Sequence, residues 1–301
     1  MNHQTSRFAR VEEIEHPDFK RINNELIQLN KDFSLPDHTK MNGERFDWYK
    51  ASVQPMYYAS RLWEYPFAIL ASDFQQGIKV ADIGCGTTPF TSYLVNKLGG
   101  ENVWGIDQDV ITTEINQLAF GLTKDYIDKV GFNFVKSDID YIQIEDDFFD
   151  IVYCISVLEH IDDPIIQMNA IHELVRITKP GGQIIITMDM GINLPLTNVF
   201  DVIKHSGLFP IENISFKWPD KRFVSYGSQT VDVFGLILVK GKELIQNHNR
   251  TSEIPQYKAY DTYKQLDRHH RATYDEMLFI QEYRLNKIKS VIKLLLGRYH
   301  F

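Results

Sequence analysis

Residues Val80-Ala81-Asp82-Ile83 form a short apolar run that ends in Gly84-Cys85-Gly86, and Thr87-Thr88-Pro89-Phe90 open a helical pattern. Glycines at such a turn let the backbone take positive φ and approach a ligand closely. In an open α/β sheet this turn lies at the crevice beyond the carboxyl ends of the strands. The dinucleotide fingerprint would place a third glycine at position 89, where this chain has proline. Asp82, just before the first glycine, fits poorly beside a pyrophosphate and well beside a cation such as an ammonium. The competing reading is an ordinary tight turn with Asp82 capping backbone amides.

Asp107 ends the next strand pattern, 21 positions after Gly86, with Gln108 beside it. A carboxylate there can accept both hydroxyls of a ribose. Asp138 follows a third strand pattern and suits an adenine amino group, with Ile139 placed to pack on the ring. Ile155 and Ser156 end a fourth strand pattern on the other side of the crevice. Each acid alone reads as a plain loop residue; three at successive strand ends beside a glycine turn read as a nucleoside pocket. His160, in Leu158-Glu159-His160, follows the fourth strand. It is either a proton acceptor near neutrality or a brace for its loop.

The positioning elements are strands separated by helices, which point to crossover units and a mostly parallel sheet. Strands are expected at 78–83, 102–106, 132–135, 149–155 and 183–188. Helices are expected from Thr87 to Leu98 and from Pro164 to about Thr178, the second stopped by Lys179-Pro180-Gly181-Gly182. Two final strands, 210–216 and 231–239, have no helix between them and should pair antiparallel at one edge. Residues 1–75 form an N-terminal helical lid or extension with little strand character. Phe19, Ile22, Leu26 and Leu29 fall at helical spacing, and Pro17 and Asp18 suit the first turn. Residues 76–241 form the ligand-binding domain, and 242–301 a linker and C-terminal helical extension. In that extension Leu285, Ile288, Ile292, Leu295 and Tyr299 alternate steps of three and four among Arg284, Lys287, Lys289, Lys293 and Arg298. This suits docking on the same chain, docking in a homodimer, or contact with a membrane surface.

With 32 Lys+Arg against 40 Asp+Glu, the formal charge is −8, which argues against general nucleic-acid binding. Hydrophobic residues make up 44% of the 301, enough for a core. The 2 cysteines, Cys85 and Cys154, exclude a disulfide scaffold and a Cys-based zinc site. No apolar run reaches a membrane span, and Met1 to Arg10 lack an apolar signal core, so a cytoplasmic protein is expected.

Asp-Ile-Gly-Cys-Gly, Gly-Ile-Asp, Ser-Asp-Ile, Phe-Asp-Ile-Val-Tyr-Cys-Ile-Ser-Val-Leu-Glu-His-Ile-Asp-Asp-Pro and Thr-Lys-Pro-Gly-Gly-Gln-Ile-Ile-Ile-Thr occur in that order. Together they resemble the class I S-adenosylmethionine-dependent methyltransferases, in the branch that modifies small metabolites. The resemblance implies an α/β, Rossmann-like sheet, mostly parallel with an antiparallel edge strand. It implies S-adenosyl-L-methionine as cofactor, with Gly84, Cys85 and Gly86 lining its methionine moiety and Asp82 close to it. It places Asp107 and Gln108 at the ribose, Asp138 and Ile139 at the adenine, and Ile155 near the sulfonium. His160 then stands where the acceptor sits. Some quinone-pathway relatives hold a divalent ion with Glu-X-X-Glu-His here. The first Glu position is Ser156, so no required metal is expected.

The extensions are expected to set the acceptor. Tyr57 to Pro66 resembles the segment that precedes the first motif in methyltransferases of bacterial surface-polysaccharide pathways. Arg61 suits a carboxylate or phosphate, and Tyr57, Tyr58 and Trp63 suit stacking on a sugar or nucleotide. Trp218, Arg222 and Tyr226 offer a second wall. The expected reaction is methyl transfer to a hydroxyl of a sugar, sugar nucleotide or phosphate-bearing precursor. The alternatives are another small metabolite (quinone or amine) and an inactive interaction module.

Overall fold

The computed structural model describes residues 4–32, 60–86, 88–108, 110–111, 122–161, 163–190, 206–211, 214–215, 219, 223–224 and 230–241. Tyr57, Tyr58, Trp218, Arg222, Tyr226 and the C-terminal extension 242–301 lie outside them. The elements that build the site are β1 (Ser6–Phe8), α1 (Pro17–Asp32), α2 (Arg61–Ala71), β2 (Val80–Ile83), α3 (Pro89–Leu98), β3 (Val103–Asp107), α4 (Lys124–Val130), β4 (Asn133–Lys136), β5 (Phe149–Ile155), α5 (Pro164–Ile177), β6 (Thr178–Met190), β7 (Leu208–Pro210), β8 (Ile214–Ser215) and β9 (Thr230–Lys240).

Strands β4, β3, β2, β5 and β6 run parallel in that spatial order. The chain order reverses between β2 and β5, so the topological switch point lies at the glycine turn. β9 pairs antiparallel with β6 from Asp232↔Met190 to Val239↔Gln183. The expected strand 210–216 is divided: β7 (Leu208–Pro210) pairs antiparallel with the end of β9, while Ile214–Ser215 pairs with β1 and not with β9. The sheet does not stop there. β1 adds antiparallel to β9, and β8 adds parallel to β1. That N-terminal strand corrects the reading of residues 1–75 as having little strand character. Three residues are too few for alternation to show.

Alternation is clear where it decides the layers. On β5, Ile151, Tyr153 and Ile155 join one buried cluster while Val152 and Cys154 join the other. Helix α5 packs Ala170, Ile171 and Leu174 into the second cluster. The first receives Phe19, Ile22 and Leu26 of α1, Trp63 and Phe67 of α2, and Phe90 and Leu94 of α3. The described part of the N-terminal segment therefore shares its core with the sheet. Both faces being covered explains why the central strands read as nearly continuous apolar runs.

Helix starts follow local chemistry. Thr88 caps α3, its side chain accepting from Phe90 N, and Asp163 caps α5 by accepting from Ile165 N; each helix then has proline in its first turn. Pro66 lies inside α2 and cannot donate to Leu62 O. Asn23 Nδ2 of α1 supplies that carbonyl at 2.9 Å. The expected stop at Lys179–Gly182 appears as an irregularity inside β6. Phe149 pairs with Thr178, but Ile151 pairs with Gln183, and Gly181 takes φ of 83°.

Candidate functional site

The carboxyl ends of the parallel strands bring the glycine turn and the strand-end acids to one edge. Gly84 and Gly86 take φ of 66° and 48°. Gly84 N–H donates to Ile106 O at 2.7 Å, and Gly86 N–H donates to Asp107 Oδ2 at 2.9 Å. A Cβ on Gly84 would stand 2.6 Å from Val157 Cγ2. The missing side chain at Gly84 is what lets Val157 pack against the turn, and the turn is tied to β3 through Asp107. One step on, Ser137 N–H donates to Asp107 O at 2.9 Å, which carries the β4 loop to the same edge. Ser137 Oγ donates to Tyr141 O and accepts from Gln143 N, closing the loop that presents Asp138. Asp138 and Gln108 are exposed, and Ile139 is half-buried against the core.

Asp82 is buried, and its Oδ2 accepts from Thr91 Oγ1 at 2.7 Å. Burial, then the nearby Asp107 charge, push its carboxyl up to about 7 against the opposing Thr91 bond. A cation beside it would restore the ionised form. Cys85 is corrected in one respect. Its side chain is buried in the core and its thiol is pushed up by burial, so only its backbone can face a ligand.

The second half of the site surrounds β5 and β6. Ser156 follows β5 at φ of 51°, a conformation that L-residues rarely adopt, and its N–H donates to Thr187 O at 3.0 Å. Its hydroxyl donates to Glu64 Oε1 at 2.6 Å. Thr187 Oγ1 donates to the same oxygen at 2.7 Å. Arg61 Nη1 donates to Glu64 Oε2 and to Ser156 Oγ. Glu159 and Asp189 adjoin this group, and Glu159 Oε1 accepts from Asp189 N at 3.1 Å. Burial first, then their mutual repulsion, push Glu159 up to about 8. Burial and then Glu64 push Asp189 up to about 7, with Arg61 opposing. His160 is exposed, and partial desolvation followed by the Arg61 charge hold its imidazole below the usual value.

Two expectations change here. Trp63 leaves the candidate acceptor wall: it is wholly buried, stacks on Phe67 at 4.4 Å between centroids, and donates from Nε1 to Glu13. Gly235 makes room for that stack, since a Cβ there would meet Phe67 at 2.4 Å and Trp63 at 2.9 Å. Arg61 does reach the site, but Glu64 already neutralises it, so it is not a ready clamp for an anionic acceptor. Glu64, Thr187 and Asp189 were not legible as site residues. Asp189 had the one usable signal, an acid at a strand end like Asp107. Among the described residues, no group of three or more His, Cys, Asp or Glu could hold a metal ion. No described helix is long and apolar enough to cross a membrane.

Residues 81–186 match the family described as "Methyltransferase domain". The ubiquinone biosynthesis O-methyltransferase of Pseudomonas aeruginosa (strain UCBPP-PA14) is 33% identical over 117 residues, covering 37% of this chain and 44% of that protein. The ubiquinone/menaquinone biosynthesis C-methyltransferase of Idiomarina loihiensis is 25% identical over 146 residues, covering 47% of this chain and 54% of that protein. The chain thus spans about half the length of these curated relatives. Among solved structures, the YcgJ protein of Bacillus subtilis covers 59% of this chain and 98% of its own at 14% identity and a TM-score of 0.45. The sheet order and the matched motifs define a Rossmann-like, class I methyltransferase fold. The matched segment 81–186 contains the glycine turn, Asp107, Asp138 and the Ser156 turn, so the site described above lies largely within the part similar to methyltransferase domains.

Proposed function

We propose that the whole chain is an S-adenosylmethionine-dependent methyltransferase that methylates an oxygen of a small polar acceptor. The observation that carries this reading is the Gly86–Asp107 bond, which ties the glycine turn to the acid at the neighbouring strand end. The cofactor supplies a methyl group activated on a sulfonium. Asp107 holds the ribose hydroxyls, and Asp138 with Ile139 takes the adenine edge and face. The backbone of Gly84 to Gly86 and the Asp82 carboxylate receive the amino-acid end. Ile155 and the Ser156 turn stand beside the reacting centre. His160, its imidazole kept neutral at pH 7, takes the proton of the acceptor hydroxyl. Positioning supplies much of the rate, because displacement at a methyl carbon needs nucleophile, carbon and sulfur in line.

The name of the Pseudomonas aeruginosa relative, an O-methyltransferase, supports an oxygen as the methylated atom, whereas the Idiomarina loihiensis relative is named a C-methyltransferase. They do not fix the scaffold, because the match covers 37% of this chain. The sugar or surface-polysaccharide acceptor rests on the Tyr57 to Pro66 resemblance and on the arginine and aromatic residues of the extensions. The described part of that segment buries Trp63, Glu64, Tyr65 and Pro66 in α2, which weakens the support. Calorimetry with S-adenosylhomocysteine tests the reading, followed by transfer of radiolabelled methyl to candidate acceptors. Tight binding with labelled product is expected. No binding of either form of the cofactor overturns it.

A further inference from the structure

Glu64 is satisfied at both oxygens, by Ser156 and Thr187 at one and Arg61 at the other. Glu159 and Asp189 are not. Glu159 is only 9% exposed, and its Oε2 has no hydrogen-bond partner among the described residues. Asp189 Oδ1, equally hidden from solvent, also has none among them. A proton can occupy such a carboxyl group while nothing else is bound, but in the ionised form its oxygens are acceptors only, and leaving them buried without donors is unfavourable. The cluster brings three carboxyl groups to one guanidinium, and Glu64 already balances that guanidinium. What completes the site is therefore a donor, preferably with positive charge. An incoming phosphate or carboxylate would instead meet two unpaired carboxyl oxygens.

The cluster is also in the right place. Ser156 and Asp189 stand at the carboxyl ends of neighbouring parallel strands, the edge where ligands bind in such sheets. Val157, next to Ser156, lies over Gly84 of the glycine turn. His160, next to Glu159 in the chain, reaches solvent.

We propose that Glu159 and Asp189 hold a protonated amino group carried by the methyl acceptor, so that the acceptor is an amine-bearing small molecule and not a phosphate-bearing one. This rests on the methyltransferase reading and narrows its substrate. An alkylammonium has three N–H donors, enough for both orphan oxygens, and its charge offsets the excess of carboxyl groups. A neutral hydroxyl offers one donor and no charge.

The test uses the full chain saturated with S-adenosylhomocysteine, titrated with methylammonium by NMR. Acetate and inorganic phosphate are titrated in parallel at matched ionic strength. Saturable binding of methylammonium and none of the anions is expected. Glu159→Gln and Asp189→Asn should each weaken it about tenfold or more, as removal of one partner of a desolvated charge pair does, with S-adenosylhomocysteine affinity unchanged. The amide oxygen that Glu159→Gln introduces would still accept from the backbone N–H of Asp189, so the local fold is preserved. Absence of saturable methylammonium binding, tighter binding of phosphate, or equal binding by both variants overturns the proposal. The wild-type selectivity decides even where a variant fails to fold. Failure to bind S-adenosylhomocysteine sinks the methyltransferase reading instead; methylammonium titrated into the unliganded chain then still tests the amine site.

Discussion

The backbone N–H of Gly86 donates to Oδ2 of Asp107 at 2.9 Å, across 21 residues of sequence. The bond fixes the carboxylate and orders the turn together. Asp107→Ala removes both functions. Hydrogen bonds to charged groups contribute about 1.5–3 kcal/mol, so S-adenosylhomocysteine affinity should fall roughly 10- to 100-fold by calorimetry. Asp107→Asn keeps a carbonyl oxygen for Gly86 and should lose less. Unchanged affinity in the alanine variant would remove Asp107 from the cofactor site.

Gly84→Ala tests the packing of Val157 against the glycine turn. The new methyl would stand 2.6 Å from Val157 Cγ2, at a backbone φ of 66°. A loss of about 1–3 kcal/mol in urea unfolding is expected, from the clash and the conformation together. Adding Val157→Ala relieves the clash but not the positive φ, so the double variant should recover only part of the loss. Full recovery would show that the conformation matters little.

Asp82 gives a pH prediction. Its folded value of about 7 lies above the ordinary 3.8, so the folded state holds the extra proton between those limits. The associated stability is present below the ordinary value and is lost as pH rises through about 7. Glu159 and Asp189, also raised, act in the same direction. Urea midpoints should therefore decline between about pH 4 and 8, and Asp82→Asn should flatten part of that decline. A midpoint that rises over this range in the wild-type chain would contradict the buried, protonated carboxyl.

Glu64 is buried at 0% exposure and accepts from three donors, on Arg61, Ser156 and Thr187. Glu64→Ala strands the Arg61 guanidinium in a largely desolvated place, and a loss of about 3–5 kcal/mol is expected on unfolding by denaturant. Glu64→Gln keeps an acceptor for Ser156 and Thr187 and should cost less. Equal losses would mean that the hydrogen bonds from Ser156 and Thr187 add little beyond the charge on Glu64.

Much of this was legible in the chain itself. Strand-ending runs, the Gly-X-Gly turn, Asp107 and the capped starts at Pro89 and Pro164 are local signals. Each depends on residues within a few positions, and the structure uses them where the sequence put them. β1 was not legible, because Ser6 to Phe8 become a strand only through the edge that β9 offers. Trp63 was misplaced because an aromatic residue carries the same letter in a pocket wall and in a core. Gly235, 172 residues later, decides between them.

Periodicity and turn chemistry act over short stretches, so the mostly parallel sheet and the acids that end its strands could be read along the chain, while the switch point emerged with the strand order. Which acids share a site depends on the folded arrangement. Glu64 comes from α2, Ser156 and Glu159 from the turn after β5, and Thr187 and Asp189 from β6, and no local rule links these three stretches. Burial brought them into a low-dielectric edge, where charge and hydrogen-bond satisfaction act through space rather than along the chain.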